Sequence, residues 1–394
     1  MGTATATAAP LTVQGQQVPD AVVDPVSFAK ATRRQTLNMK TLGSFAGFGG
    51  VDQFSLLQTG VLSALTVKLS GSLVIALNSS GTVGSTAKWP YDLLKNCKVS
   101  VNGQANLINC GGSDLKARDL MNTTELTDRG VPQTIGGSTR YNGSLSLNNE
   151  VWGVGQNTSS LSGGTYDVEL EYQIPIAMDQ VNLVGALFLQ TSSTEVAIEF
   201  TWASVTDVFT VVSPATVALT AAVIVQGIVY TIPQGSKGEI IIPNLSAFHS
   251  MIRSRYPNPG NTLNEIKIVG QGAGRQLMRL WFRTFNGTVG VPLSVNQTNY
   301  GQVGWRMGGN DTPEVWPDGH AAAYAAERLY GSDLGTYAGY AVLDFCSTFA
   351  IRDSIDEGTA TELRFLMEIL SGVSLTSPVT EYCKEEIFLG SAGA

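Results

Sequence analysis

Residues 165–190 read TYDVELEYQIPIAMDQVNLVGALFLQ. Val168, Leu170, Tyr172, Ile174 and Ile176 alternate with Glu169, Glu171 and Gln173. A period of two places the apolar set on one face of a strand and the polar set on the other. Pro175 then interrupts the alternation, and an apolar stretch with a central Gly185 follows. A strand with one dry face requires a second layer to cover it.

The same pattern recurs along the chain. EVAIEFTWA (195–203) sets Val196, Ile198, Phe200 and Trp202 against Glu199 and Thr201. TELRFLMEIL (361–370) sets Leu363, Phe365, Met367 and Ile369 against Glu362, Arg364 and Glu368, and mirrors YDVELEYQI. LMRLWFRTFNG (277–287) places Met278, Leu280 and Phe282 opposite Arg279 and Arg283; Trp281 and Phe285 share the arginine face, which marks that face as partly covered. Further strands are predicted at 65–77, 223–233, 238–244 and 339–345. The uncharged run Val208–Ser236 is long enough for a membrane span, but Ser213-Pro214, Gln226-Gly227 and Pro233 break it and Val, Ile and Thr dominate it. It reads as buried strands.

Helix signals are fewer. Asp24-Pro25 starts a helix predicted to run to about Leu42, with Lys30, Arg33, Arg34 and Lys40 in one arc and Phe28, Met39 and Leu42 roughly opposite. LSAFHSMIRSRYP (245–257) has Phe248, Met251 and Ile252 at helical spacing and Pro257 as a stop. DGHAAAYAAERLYG (318–331) is an Ala-rich helix capped by Asp318. These patterns predict an all-β chain: a partly helical N-terminal arm (1–42), a first sandwich (43–212) and a second (213–394).

Only 14% of the 394 residues are charged, and 43 are glycine. Low charge fits a body enclosed by neighbouring subunits, because interface cores are depleted in charge; an all-β chain with many Gly and Ser turns is the other reading. The net charge is −8, against general nucleic-acid binding. Residues 1–50 carry +2 and the remainder −10, so a weakly basic arm precedes an acidic body. The N-terminus has neither the basic start nor the apolar core of a secretory signal.

Cys97, Cys110, Cys346 and Cys383 form no CxxC pair, and two histidines complete a poor zinc inventory. Asn102-Gly103 predicts a type I′ hairpin that pairs Val101 with Gln104 and Cys97 with Ile108, leaving Cys110 diagonal to Cys97. Reduced, buried thiols and intracellular assembly follow from that register. No catalytic constellation stands out. GQGAGR (270–275) lacks the third glycine and the Lys-Ser/Thr of a phosphate loop, and there is no GxSxG or HExxH. His249 and His320 read as structural, and Glu169 and Glu171 as the wet face of their strand. Asn310, Asp311, Glu314 and Asp318 offer oxygen ligands without the spacing of a calcium loop. No enzyme activity, cofactor or metal is expected.

Several stretches resemble the major capsid proteins of tectiviruses, tailless phages with a membrane beneath the shell. They are WPYDLLKNCKVSVNGQ (89–104), YQIPIAMDQVNLVGALFLQTSSTEVAIEF (172–200), GEIIIPNLSAF (238–248, with Asn244 in place of the family's Asp) and YGSDLGTYAGYAVLDF (330–345). They follow the family's order and span about residues 60–370. The resemblance implies two tandem eight-stranded jelly rolls in one chain. It further implies a homotrimer of pseudo-hexagonal outline that tiles an icosahedral shell, with vertex (penton) and minor capsid proteins as further partners. The shell would be assembled in a bacterial host cytoplasm and located in the virion. The N-terminal arm would face an internal membrane, with Lys30, Arg33, Arg34 and Lys40 as candidates for contact with anionic lipid. A β-sandwich receptor- or carbohydrate-binding module is the alternative, with Tyr300, Trp305 and Trp316 as its candidate aromatics; an outer-membrane barrel and a hydrolase on a β scaffold are further alternatives.

Overall fold

The computed structural model describes residues 12–389 except 14–15, 18–20, 104, 123–131, 136–137, 142–149, 181, 192–193, 269–273, 288–290, 309–310, 331–333, 335–338, 347–352 and 358–361. Two four-stranded layers face each other in each half of the chain. In the first half, one layer runs Arg34–Leu42, Thr216–Tyr230, Val61–Ala76, Gly164–Pro175, all antiparallel. The facing layer runs Val51–Ser55, Val196–Trp202, Leu94–Val101, Ala105–Cys110. Numbered along the chain, these are strands 1-8-3-6 over 2-7-4-5, the order of a jelly roll.

The second half repeats that order. Ala247–Pro257, Val379–Leu389, Arg275–Asn286 and Ala341–Asp344 make the 1-8-3-6 layer. Leu263–Ile268, Leu363–Ile369, Tyr300–Met307 and Asp311–Trp316 make the 2-7-4-5 layer. The chain is therefore a double jelly roll. The rolls share one sheet: Ala247–Pro257 pairs in parallel with Ala105–Cys110 through Met251↔Ile108 and Ile252↔Asn109, so one sheet, ten-stranded with the short Val291–Pro292 and Ile355–Asp356, crosses both.

The alternation at 165–190 works as its pattern requires. Val168, Leu170, Tyr172 and Ile174 are all but inaccessible, while Glu169, Glu171 and Gln173 stay partly exposed. Leu170 opposes Leu69 and Tyr172 opposes Val67, so the buried face joins the first roll's core. Each such aliphatic residue contributes roughly 1.5–3 kcal/mol on burial. Gly71 sits between Val168 and Ala221 of its neighbouring strands; a Cβ there would sit 2.0 Å from the Thr220 carbonyl oxygen. The second core gathers Leu280, Phe282, Tyr300, Phe365 and Met367, with Phe282 and Phe365 stacked at 5.1 Å.

Four expectations change. The helix from Pro25 ends at Ala31, and Arg34–Leu42 is an edge strand of the first roll, so the 1–42 arm does not stand apart from the body. Asp24 does cap that helix, accepting from the Val26 and Ser27 amides, and Phe28 packs beside Val61, Ala177 and Leu183. A boundary at 212/213 cuts the first roll before its last strand: Thr216–Tyr230 lies between Arg34–Leu42 and Val61–Ala76, and the second roll opens at Ala247. Residues 247–257 form a strand, not a helix; their covered face carries His249 and Arg253 as well as Met251, which disguised the period of two. The hairpin register also differs. A bulge between Val99 and Ser100 puts Cys97 directly opposite Cys110, with Val101 opposite Ala105, and all four cysteines are free and buried. The likeness of 361–370 to 166–174 is one of pattern alone: Leu363–Ile369 is the seventh strand of its roll and Gly164–Pro175 the sixth.

Candidate functional site

The most densely charged buried region lies where the rolls meet. Helix Gly112–Asn122, which follows the fifth strand of the first roll, and the turn Tyr91–Leu93 face the 1-8-3-6 layer of the second. On that layer Arg279 opposes Glu385, Arg283 opposes Glu381, and Trp281 between them opposes Cys383. Arginine face and glutamate face are thus one surface. Met251, Trp281 and Cys383 belong to the first roll's core, so the surface is an interior one.

Two ionic knots sit on it. In the first, Glu385 is wholly inaccessible and accepts from Arg118 Nε at 2.6 Å, Arg279 Nε at 2.7 Å and His249 Nε2 at 2.9 Å. Arg118 also donates to the Met178 carbonyl at 3.0 Å, and Arg279 to Asn122 Oδ1 at 3.1 Å. Burial alone would raise the Glu385 carboxyl; Arg118, Arg279 and His249 outweigh it and hold it well below the usual carboxylate range. Burial pushes the His249 imidazole below its ordinary value, against the pull of Glu385.

In the second knot, Asp92 accepts from Arg283 Nη2 at 3.0 Å on each oxygen and from Ser113 Oγ at 2.5 Å. Arg253 Nε donates to Asp114, which also receives the Gly111 amide at 3.0 Å and the Tyr340 hydroxyl at 2.9 Å. Glu381 lies 3.4 Å from Arg283 and 3.6 Å from Arg253. Burial disfavours the Asp92 charge, yet Arg283 and Arg253 keep its carboxyl below the ordinary value. Arg283 also stacks over Phe285 and Tyr340, at 4.4 and 5.0 Å from the ring centres.

These charges serve geometry. Removing one partner of a buried pair costs about 3–5 kcal/mol because it strands the other charge, and replacing the whole set by apolar side chains is often neutral. The knots join residues of the two rolls, Arg118 to Glu385 and Asp92 to Arg283, so each depends on both rolls being in place. Of the titratable residues in the two knots, only Arg279, Arg283 and His249 stood out in the sequence. One further signal was present: Glu381, Cys383 and Glu385 alternate along the last strand and complement Arg279 and Arg283.

The structure disperses the other candidates. Lys30, Arg33, Arg34 and Lys40 are exposed, the first two at the helix end and the turn after it, the last two on the edge strand. Tyr300 is buried, Trp305 packs edge-on against Phe345 at 5.0 Å, and Trp316 packs on the second core, so they form no exposed platform. Asn310 and the Asp311 side chain lie outside the described residues; Asp318 caps its helix by accepting from the Ala321 amide. Among the described residues no cluster of ligands suits a metal, and no helix is long and apolar enough to cross a membrane.

No protein-family model and no curated protein matches the chain. Solved structures do match in fold. The STIV MCP superposes with a TM-score of 0.62 at 13% identity, over 91% of this chain and 97% of that one. A chain of the PBCV-1 virus capsid gives 0.56 at 10% identity over 98% of both. The Faustovirus major capsid protein gives 0.54 at 9% identity, over 97% of this chain and 93% of that one. Their coverage spans both rolls, and at these identities the likeness is one of fold.

Proposed function

We propose that this chain is a viral major capsid protein that trimerises into pseudo-hexagonal capsomers and tiles an icosahedral shell. The observation that carries the reading is the pair of complete 1-8-3-6/2-7-4-5 rolls joined by a shared sheet and two ionic knots. A shell tile needs a rigid body more than a ligand pocket. Three such chains supply six similar rolls, enough for a six-lobed outline. The likeness in fold to the capsid proteins of STIV, PBCV-1 and Faustovirus supports the same role.

An internal membrane beneath the shell is the finer part of the reading. Lys30 and Arg33 are exposed at the helix end and the turn after it and are the arm's contacts with anionic lipid, each worth roughly 1 kcal/mol near such a surface. Multiplicity over a shell makes so weak a bond effective. Vertex and minor capsid proteins are the remaining partners, in a virion assembled inside its host. Electron microscopy of the concentrated protein tests the capsid role. Six-lobed particles that associate edge to edge support it; isolated two-lobed bodies at every concentration overturn it.

A further inference from the structure

Each feature of one roll has a counterpart in the other. In the first roll the fifth strand, Ala105–Cys110, has a neighbour on both sides: Leu94–Val101 of its own roll and Ala247–Pro257, the first strand of the second. Its counterpart, Asp311–Trp316, pairs on one side, with Tyr300–Met307. The counterpart of Ala247–Pro257 is Arg34–Leu42, which also pairs on one side, with Thr216–Tyr230. Among the described residues, each chain thus carries the two halves of a second join, on opposite rolls, and they do not pair with each other within the chain.

We infer that Asp311–Trp316 of one copy pairs in parallel with Arg34–Leu42 of a second copy, repeating between chains the join made within each. The inference rests on the shell-protein reading and names the surfaces that make its capsomer. An interface between unlike surfaces runs head to tail, and it closes into a ring where the rotation between copies closes. It also covers two edge strands that would otherwise remain open to unspecific pairing.

Charge and burial agree with this pairing. Arg34 and Lys40 are exposed on a strand with no acidic residue, and Glu314 is exposed on the other. Inside the chain, Arg253 of a first strand meets Asp114, just beyond a fifth strand. Asp318 stands just beyond Asp311–Trp316, and like Asp114 it accepts an amide of its own turn. Helix Gly112–Asn122 beside the inner join has Leu115, Leu120 and Met121 buried, whereas its counterpart Gly319–Tyr330 leaves Tyr324 61% and Leu329 45% exposed. A second copy seated on Asp311–Trp316 would cover that helix as well. Pro313 offers no N–H to such a pairing, so the join is short, as the inner one is with its two residue pairs.

The test combines oligomer mass with cross-linking. Asn38→Cys and Glu314→Cys introduced together place two thiols on strands that would lie about 4.8 Å apart, within disulfide reach. Mild oxidation should link copies covalently in this variant. It should not do so when Val51→Cys, on the far edge of the first roll's other sheet, replaces Asn38→Cys. Independently, Lys40→Glu and Glu314→Lys should each raise the dissociation concentration about tenfold, and the double reversal should restore assembly. A wild-type trimer with no 38–314 link and no response to either charge reversal overturns this pairing and leaves the capsid reading standing. A wild-type monomer overturns both.

Discussion

Gly111 and Arg253 compete for one position: a Cβ on Gly111 would lie 1.7 Å from Arg253 Nη2 and 2.5 Å from its Cζ. Gly111 immediately follows the fifth strand of the first roll, and Arg253 lies on the first strand of the second. The absence of one side chain therefore admits the guanidinium that ties the rolls together through Asp114, with Asp92 3.9 Å away.

Gly111→Ala should displace Arg253 and uncouple it from Asp114. The expected loss is at most about 3–5 kcal/mol, the scale of a broken buried ion pair. Guanidinium denaturation should also separate into two transitions as the rolls cease to unfold together. Wild-type stability with one unchanged transition would show that the join tolerates the clash.

Glu385→Gln keeps the shape of the side chain and removes the charge between Arg118 and Arg279. Two buried guanidinium groups then face each other without the carboxylate between them, at a cost of about 3–5 kcal/mol. Arg118→Met in the same background should recover part of it, because it removes one of the stranded charges. A double-mutant cycle measures the coupling; additive effects would contradict the proposed knot.

Acid should loosen the same site. His249 and Glu385 are both held below their ordinary values of 6.5 and 4.5, so the unfolded chain takes up their protons first. The stability they contribute is present above those values and is lost as pH falls through and below them. Denaturation midpoints should decline from about pH 6.5 downward, and His249→Gln should flatten the upper part of that decline. A midpoint that rises on acidification would contradict the assignment.

The thiols should be silent until the chain unfolds. Burial raises Cys97 and Cys383 well above the ordinary thiol value and pushes Cys346 up to about 12, so thiolate is scarce at neutral pH. A disulfide-exchange reagent should find no reactive cysteine in the native protein and four in denaturant. Fewer than four in denaturant under non-reducing conditions would reveal a disulfide, with the directly opposed Cys97 and Cys110 the first pair to examine.

Strands with one wet and one apolar face were legible in the sequence because their periodicity is local: 166–174, 195–202 and 363–369 all behave as written. Arg34–Leu42 was not, since an edge strand with Met39 as its only buried residue shows no alternation. Nor was helix Gly112–Asn122. Asp114, Lys116 and Arg118 look solvated in sequence, yet all three are buried against partners such as Arg253 and Glu385, far along the chain. The same long-range pairing hid His249 and Arg253 inside a helix-like spacing. The join escaped the sequence reading because its partners become neighbours only once both rolls have closed.

If this chain is one third of a ring of six rolls, its mass in solution is three times that of the chain. Light scattering after size exclusion of the 41.7 kDa chain should give a species of about 125 kDa that persists on dilution. A mass near 42 kDa at every concentration would contradict it.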